Sequence, residues 1–226
     1  MARPKQNILV IDVGGTHVKV LDQKHTEMVT IDSGPDMTPA EMVRKVRKAT
    51  ADWSYTAITV GYPGPVVRGR PNAEPHNLAC GWVDFRFEEE LEHPVRVVND
   101  AAMQALGSYE GGRMLFLGLG TGLGAALILD GVLEPMEIAH LPYRKGRTYE
   151  DYLGLRGIER MGKSKWRKHT LHVIELFRKA FEVEYVVLGG GNARLIKEMP
   201  DGIRPGANSN AFAGGFRVWT DYPQYP

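Results

Sequence analysis

The 226 residues carry 28 Lys and Arg against 27 Asp and Glu, a formal net charge of +1, with 43% apolar and 24% charged residues. That balance suits a packed soluble protein of one or two domains and gives no electrostatic drive toward a nucleic-acid backbone or an acidic membrane. The single cysteine, Cys80, excludes an intrachain disulfide framework and a multi-thiolate zinc site, and fits a reducing, cytoplasmic compartment.

The first apolar stretch ends after four residues at Asp12, far short of a signal peptide's core. It belongs to "ILVIDVGGTHVKVL", residues 8–21: an apolar strand ending on Asp12, a turn of Gly14, Gly15 and Thr16, and an alternating strand with Val18 and Val20. In "MTPAEMVRKVRKATADW", Thr38 and Glu41 have capping-box spacing and Pro39 suits the first helical position. Met42, Val43, Val46 and Ala49 recur at helical spacing, so a helix is predicted. "AITVGYPGPV" is a short strand broken by Gly61, Pro63, Gly64 and Pro65. "PVRVVND" is another strand ending on a carboxylate, and "AAMQALGSYEGG" a helix stopped by its glycines.

"MLFLGLGTGLGAALILDGVL" then repeats the opening pattern of apolar strand, Gly and Thr turn, apolar strand. Two copies of this design, roughly a hundred residues apart, predict two halves built alike and facing each other. The uncharged run at 114–129 contains four glycines and falls below the ~18 residues of a membrane span. Asp130-Gly131 predicts a tight hairpin turn. Residues 134–163 show no clear period and are predicted as loops with short helical pieces. From Ser164 onward, Trp166, Thr170, Val173, Ile174, Phe177 and Phe181 form the apolar stripe of a long helix. "YVVLGGGNARLI" reads as a buried strand, a glycine turn and a helix start, and "DYPQYP" as a loose tail.

Several strands thus end in Gly, Asp or Asn: Asp12-Val-Gly-Gly-Thr, Gly61-Tyr-Pro-Gly, Asn99-Asp100, Gly118-Leu-Gly-Thr-Gly and Gly189-Gly-Gly-Asn. In α/β proteins ligands bind beyond the carboxyl ends of strands, where loops without side chains let N–H groups approach an anion, so the set points to a phosphate site. Any one of these loops could instead be a hairpin that needs glycine for φ > 0. Gly120-Thr-Gly122-Leu-Gly124-Ala125 meets a loose dinucleotide fingerprint, but "AALILDGVL" reads as a strand where the fingerprint demands a helix, and no P-loop is present. The basic run "KSKWRKH" could track a polyphosphate, but Lys163, Lys165, Arg167 and Lys168 flank Trp166 of the apolar stripe, so most of them are expected on the solvated sides of the helix. His169 and His172 lack a third ligand nearby and are not read as a metal pair.

"DVGGT", "GYPGPV", "VVNDAAMQALG", "GLGTGLG", "EIAH" and "LGGGN" occur in the order seen in the ROK sugar kinases of the actin-like ATPase superfamily, across nearly the whole chain. The short length, the "RPGANSNAFAGGF" ending and the missing cysteine cluster most resemble the polyphosphate/ATP glucokinase branch. The resemblance implies two actin-like (ribonuclease H-like) α/β domains with a cleft between them. We set these at 1–105 and 106–226, with the C-terminal segment able to pack back on the first.

It further implies that Asp12, Gly14, Gly15 and Thr16, and again Gly120, Thr121 and Gly122, form two phosphate-facing hairpins. Gly189, Gly190, Gly191 and Asn192 would border the nucleotide's ribose and base. Asp12 would hold Mg²⁺ through water, since that ion keeps much of its hydration. Asp100 matches the family's catalytic aspartate, which aims the acceptor oxygen at the terminal phosphorus and receives its proton. An unperturbed Asp, with a pKa of ~3.9, is a weak base for an alcohol, so orientation and late proton acceptance should dominate. Asn99 or Asp100 would also serve as a helix cap, worth about 1 kcal/mol.

Asn77, Asn99, Glu137, His140 and Glu150 match the family's sugar contacts, and a buried site of this kind would reject analogues lacking a hydroxyl. The fuller pattern follows the His with a cysteine-rich zinc motif; "HLPYRKGRTYEDYLG" has no Cys, so no zinc site is expected. The implied activity is transfer of a phosphoryl group from ATP or inorganic polyphosphate to the 6-hydroxyl of glucose or a similar hexose, by a cytoplasmic homodimer. Two alternatives are a sugar-sensing ROK regulator and a non-catalytic sugar-binding protein. The first would carry a helix-turn-helix before "DVGGT", where eleven residues precede Asp12; the retained Asp100 argues against the second.

Overall fold

The structure is a computed structural model and describes residues 6–207 and 209–220; the "DYPQYP" tail lies outside them. By its contacts the chain divides into two units, Met1–Met103 with Ala211–Pro226, and Gln104–Asn210. The first runs β1 (Ile8–Val13), β2 (His17–Asp22), β3 (Val29–Asp32), α1 (Pro39–Ala49), β4 (Ala57–Tyr62), β5 (Val66–Val67), β6 (Arg70–Pro71), α2 (Phe87–Leu91) and β7 (Val95–Asn99). The chain enters the second unit inside α3 (Asp100–Ser108).

The first sheet has the order β3-β2-β1-β4-β7: an antiparallel meander of β1, β2 and β3, with β4 and β7 added in parallel beyond β1. Alternation along the strands sorts their side chains onto two faces. Leu9, Ile11, Ile58, Val60, Tyr62 and Val97 pack with Met42, Val43 and Val46 of α1 and with Trp82, Phe87 and Leu91. Thr38 caps α1, accepting from the Glu41 N–H at 3.2 Å, while the Glu41 carboxylate takes Arg44 at 2.8 and 2.7 Å.

The second unit runs β8 (Arg113–Leu119), β9 (Leu123–Leu129), β10 (Val132–Met136), a 3₁₀ turn (Ile138–His140), β11 (Pro142–Arg144), β12 (Arg147–Thr148), α4 (Tyr149–Leu153), α5 (Leu155–Ala180), β13 (Tyr185–Gly189), a second 3₁₀ turn (Ala193–Leu195) and β14 (Ile203–Pro205). Its sheet order, β10-β9-β8-β13-β14, is again a three-strand meander followed by two parallel strands. The duplicated pattern read from the sequence is therefore a duplicated sheet topology. Leu115, Leu117, Val186 and Leu188 pack under Trp166, Val173, Ile174 and Phe177 of α5. The Trp166 indole donates to the Leu153 carbonyl at 2.9 Å.

From α6 (Asn210–Thr220), residues Ala211 onward belong to the first unit. The Thr59 hydroxyl donates to the Gly215 carbonyl at 2.8 Å and accepts from Trp219 Nε1 at 2.9 Å. Arg96 lies over the Trp219 ring at 4.3 Å and donates to the Val218 carbonyl. With α1 on one face and α6 on the other, the strands between them are covered twice, which explains their nearly unbroken apolar runs.

Three expectations change. Residues 134–163 hold the end of β10, the β11–β12 hairpin and α4, and α5 starts at Leu155, turning at Gly162 (φ 76°, ψ 158°) before its long apolar stripe. The helix expected after the last glycine turn is a single 3₁₀ turn. The opening hairpin gains a third strand, β3, whose four residues alternate between half-buried and exposed. No described helix is long and apolar enough to cross a membrane.

Candidate active site

Parallel strands β1, β4 and β7 end side by side, with Asp12 beside Gly61 and Tyr62 beside Asn99 in the register. Asp12, the loop at 61–64 and Asn99-Asp100 therefore share the carboxyl end of one sheet, where α/β folds take ligands. Burial pushes the Asp12 carboxyl above its usual range, and its cross-strand partner Lys19 pulls it part of the way back.

The turn after Asp12 is pinned from outside. The Gly14 N–H donates to the His17 carbonyl at 3.0 Å, the Ser33 hydroxyl donates to the Gly14 carbonyl at 2.6 Å, and the Ser33 N–H donates to the Thr16 carbonyl at 3.0 Å. Gly15 packs directly against the Asn77 side chain. The loop that carries Asn77 is held by the Tyr62 hydroxyl, which donates to the Ala73 carbonyl at 2.7 Å. Glu74 holds it too, accepting the N–H groups of Gly81 and Trp82 at 3.0 Å each. Cys80, free and exposed, lies in the same loop.

Asn99 is buried and works at both ends. Its amide nitrogen donates to the Gly64 carbonyl at 2.9 Å, and its oxygen accepts from the Ala102 N–H at 3.0 Å, capping α3. The capping role weighed for this pair thus belongs to Asn99. Asp100 is half-buried and accepts from the Ala101 N–H at 2.8 Å.

In the second unit the Gly120-Thr121-Gly122 turn closes by a 3.1 Å hydrogen bond from the Gly120 N–H to the Gly122 carbonyl. Asn192 grips one side: its amide donates to the Gly120 carbonyl at 2.8 Å and its N–H to the Leu119 carbonyl at 2.9 Å. The start of α5 grips the other, the Leu155 N–H donating to the Thr121 carbonyl at 3.1 Å. Glu150 accepts from the Leu123 N–H at 3.4 Å and pairs with Arg156 at 2.8 Å.

The turn, the loop at 189–192 and Glu150 are thus brought together. Glu137 and His140 are exposed, on either side of buried Ile138 and Ala139, and their 3₁₀ turn packs on β9 and α4. The supporting residues Ser33, Glu74 and Arg156 were not anticipated, and none belongs to a motif.

Two hollows within the units, of about 880 Å³ beside β7 and about 640 Å³ beside α5, include none of these residues.

Comparison with known proteins follows the same lines. The chain is 25% identical over 206 residues to a polyphosphate glucokinase of Mycobacterium leprae, covering 81% of this chain and spanning 63% of that protein's length. Among solved structures, an inorganic polyphosphate/ATP-glucomannokinase from Arthrobacter sp. strain KM superimposes with a TM-score of 0.78 at 25% identity, over 93% of this chain and 97% of that one. A ROK family glucokinase from Streptomyces griseus, in complex with glucose and AMPPNP, gives 0.70 at 16% identity, over 92% and 97%. Both matches fit the duplicated α/β architecture. The ROK family model matches residues 8–134, more than half of the chain, and the chain belongs to the ROK family.

Proposed function

We propose that this chain is a hexose kinase of glucokinase type, transferring a phosphoryl group from ATP or inorganic polyphosphate to the 6-hydroxyl of glucose or a similar hexose. The observation that carries the reading is the shared end of β1, β4 and β7, where Asp12 and the Asn99-Asp100 pair flank a glycine loop. The names of the relatives, polyphosphate glucokinase and polyphosphate/ATP-glucomannokinase, support both donors and a glucose- or mannose-like acceptor.

In this reading Asp100 orients the sugar hydroxyl and accepts its proton as the new O–P bond forms and the bond to the leaving phosphate breaks. With the Gly14 and Gly120 N–H groups closing their own turns, those of Gly15 and Thr16, and of Thr121 and Gly122, are the ones assigned to donor phosphates. Asn77, Asn99, Glu137, His140 and Glu150 contact sugar hydroxyls, and the loop at 189–192 borders the nucleotide.

Asp12 suits a hydrated Mg²⁺. Its carboxyl is raised by burial and only partly offset by Lys19, so a nearby cation would favour the charged form. An ion of this kind takes one or two carboxylates and completes its shell with water and phosphate, a demand that one strand-end aspartate can meet. When bound, the ion would neutralise donor phosphate charge.

The test is product formation over a panel of hexoses, with ATP and long-chain polyphosphate supplied separately. Glucose 6-phosphate is the expected product, and Asp100→Ala should lower turnover about 10²–10⁴-fold while glucose still binds. Glucose binding without turnover on either donor would favour a regulator or binding protein, and wild-type turnover in Asp100→Ala would remove its assigned role.

A further inference from the structure

The turn bearing Glu137 and His140 leads into a segment closed on itself. The Leu141 N–H donates to the Ile138 carbonyl at 3.2 Å, the Tyr149 N–H donates to the Leu141 carbonyl at 3.1 Å, and β11 pairs with β12 in between. Thr148 and Asp151 complete a reciprocal capping box at the start of α4. From Leu141 to Arg147 every residue is exposed except Tyr143. One ring is therefore the only apolar anchor of this stretch.

That ring is locked on three sides. It stacks on Tyr149 with centroids 4.8 Å apart, meets Tyr152 edge-on at 4.9 Å, and stands edge-on to His169 of α5 at 6.2 Å, with its hydroxyl 3.4 Å from His169 Nδ1. The partners are themselves fixed: Tyr149 against Phe177 at 4.7 Å, Tyr152 against His169 at 5.0 Å, and Arg160 over Tyr152 at 4.4 Å. These are favourable offset and edge-to-face geometries. Burial, with Arg144, His172 and Arg160 nearby, holds His169 below the usual imidazole range, so neutral rings meet near pH 7.

We propose that Tyr143 is a positioning residue for Glu137 and His140: buried Ile138 and Ala139 seat their turn, and the ring fixes the segment leading out of it to α4 and α5, so that both side chains are presented in fixed register to sugar hydroxyls. The inference rests on the sugar-kinase reading above. A ring staple here does the work that thiolate ligands would do in a metal-bound loop, in a unit without a cysteine.

The experiment compares Tyr143→Ala, Tyr143→Leu and Tyr143→Phe with the wild type in kcat, KM for glucose, KM for the donor, direct glucose binding, and hydrogen exchange across 138–148. Tyr143→Ala should raise KM and Kd for glucose about tenfold, with kcat and donor KM little changed and exchange in 138–148 faster. Tyr143→Phe, which keeps the ring, should restore wild-type behaviour, and Tyr143→Leu should fall between.

An unchanged glucose KM in Tyr143→Ala or Tyr143→Leu, or a loss spread equally over kcat and both KM values, would overturn the proposal. If the wild type binds glucose but transfers nothing, the kinase reading fails alone and the binding comparison still decides the role of Tyr143. If the wild type binds no sugar, both fall.

Discussion

Gly190→Ala should damage the second glycine turn from outside it. Gly190 has φ 79°, and an added Cβ would stand 2.4 Å from the Leu119 carbonyl oxygen and 2.6 Å from its carbon. The left-handed conformation alone costs an L-residue about 1–2 kcal/mol. The clash is with backbone, so relief requires β8 or the loop at 189–192 to move. Such movement strains the bonds from Asn192 to Leu119 and Gly120, each worth about 1 kcal/mol net. A total loss of about 3 kcal/mol is expected.

Urea unfolding followed by circular dichroism would measure the loss, with hydrogen exchange across 115–124 to localise it. Gly191→Ala is the control: no heavy atom lies within 4 Å of its added Cβ and its φ is not positive, so the change should stay within about 0.5 kcal/mol. The reasoning fails if Gly190→Ala unfolds at the wild-type urea midpoint, or if the two variants are equally destabilised.

Two further predictions concern the first unit. Asp22, 1% exposed, accepts hydrogen bonds from Asn7 at 2.8 Å, from the N–H groups of Lys24 and His25 at 3.1 and 2.9 Å, and meets His25 Nδ1 at 2.6 Å. Burial alone would raise its pKa, but these bonds outweigh it and hold the carboxyl below its ordinary 3.8. A depressed native value means that the stabilisation is complete above the ordinary value and is lost as pH falls through the lowered one. Asp22→Asn should therefore lose about 1–3 kcal/mol at pH 7 and show a flatter decline below about pH 4 in acid titration of stability; an unchanged acid limb would contradict this. Thr59→Val strips α6 of two hydrogen bonds and should lose about 1–3 kcal/mol in urea, whereas wild-type stability would mean that α6 is held by other contacts.

What the amino-acid order made readable follows from burial. Strands β1 and β8 are nearly continuous in apolar residues because they are covered on both faces, and each delivers its small-residue turn at a point visible in one dimension. The apolar stripe of α5 was equally plain, but its first two turns were not, because Leu155 and Arg156 are exposed and Gly162 breaks the period.

Strand β3 offers four half-exposed residues, too few for a period. In α6, Gly214 and Gly215 argue against a helix by propensity, yet a Cβ at Gly215 would fall 2.6 Å from Val10, so its smallness lets the helix lie close on β1. The candidate site divides the same way. Its strand-end residues were readable, whereas Ser33, Glu74 and Tyr143 act through partners distant in sequence or set in irregular segments, where no periodic signal exists.

The chain's single thiol has a practical use. Cys80 is exposed, three residues beyond Asn77 and adjacent to Gly81, whose N–H is held by Glu74. A maleimide dye would couple once per molecule at a defined address, with no engineered substitution and no background labelling. Its emission would then follow the surroundings of this loop during titration with glucose or a phosphoryl donor, giving a binding readout independent of turnover.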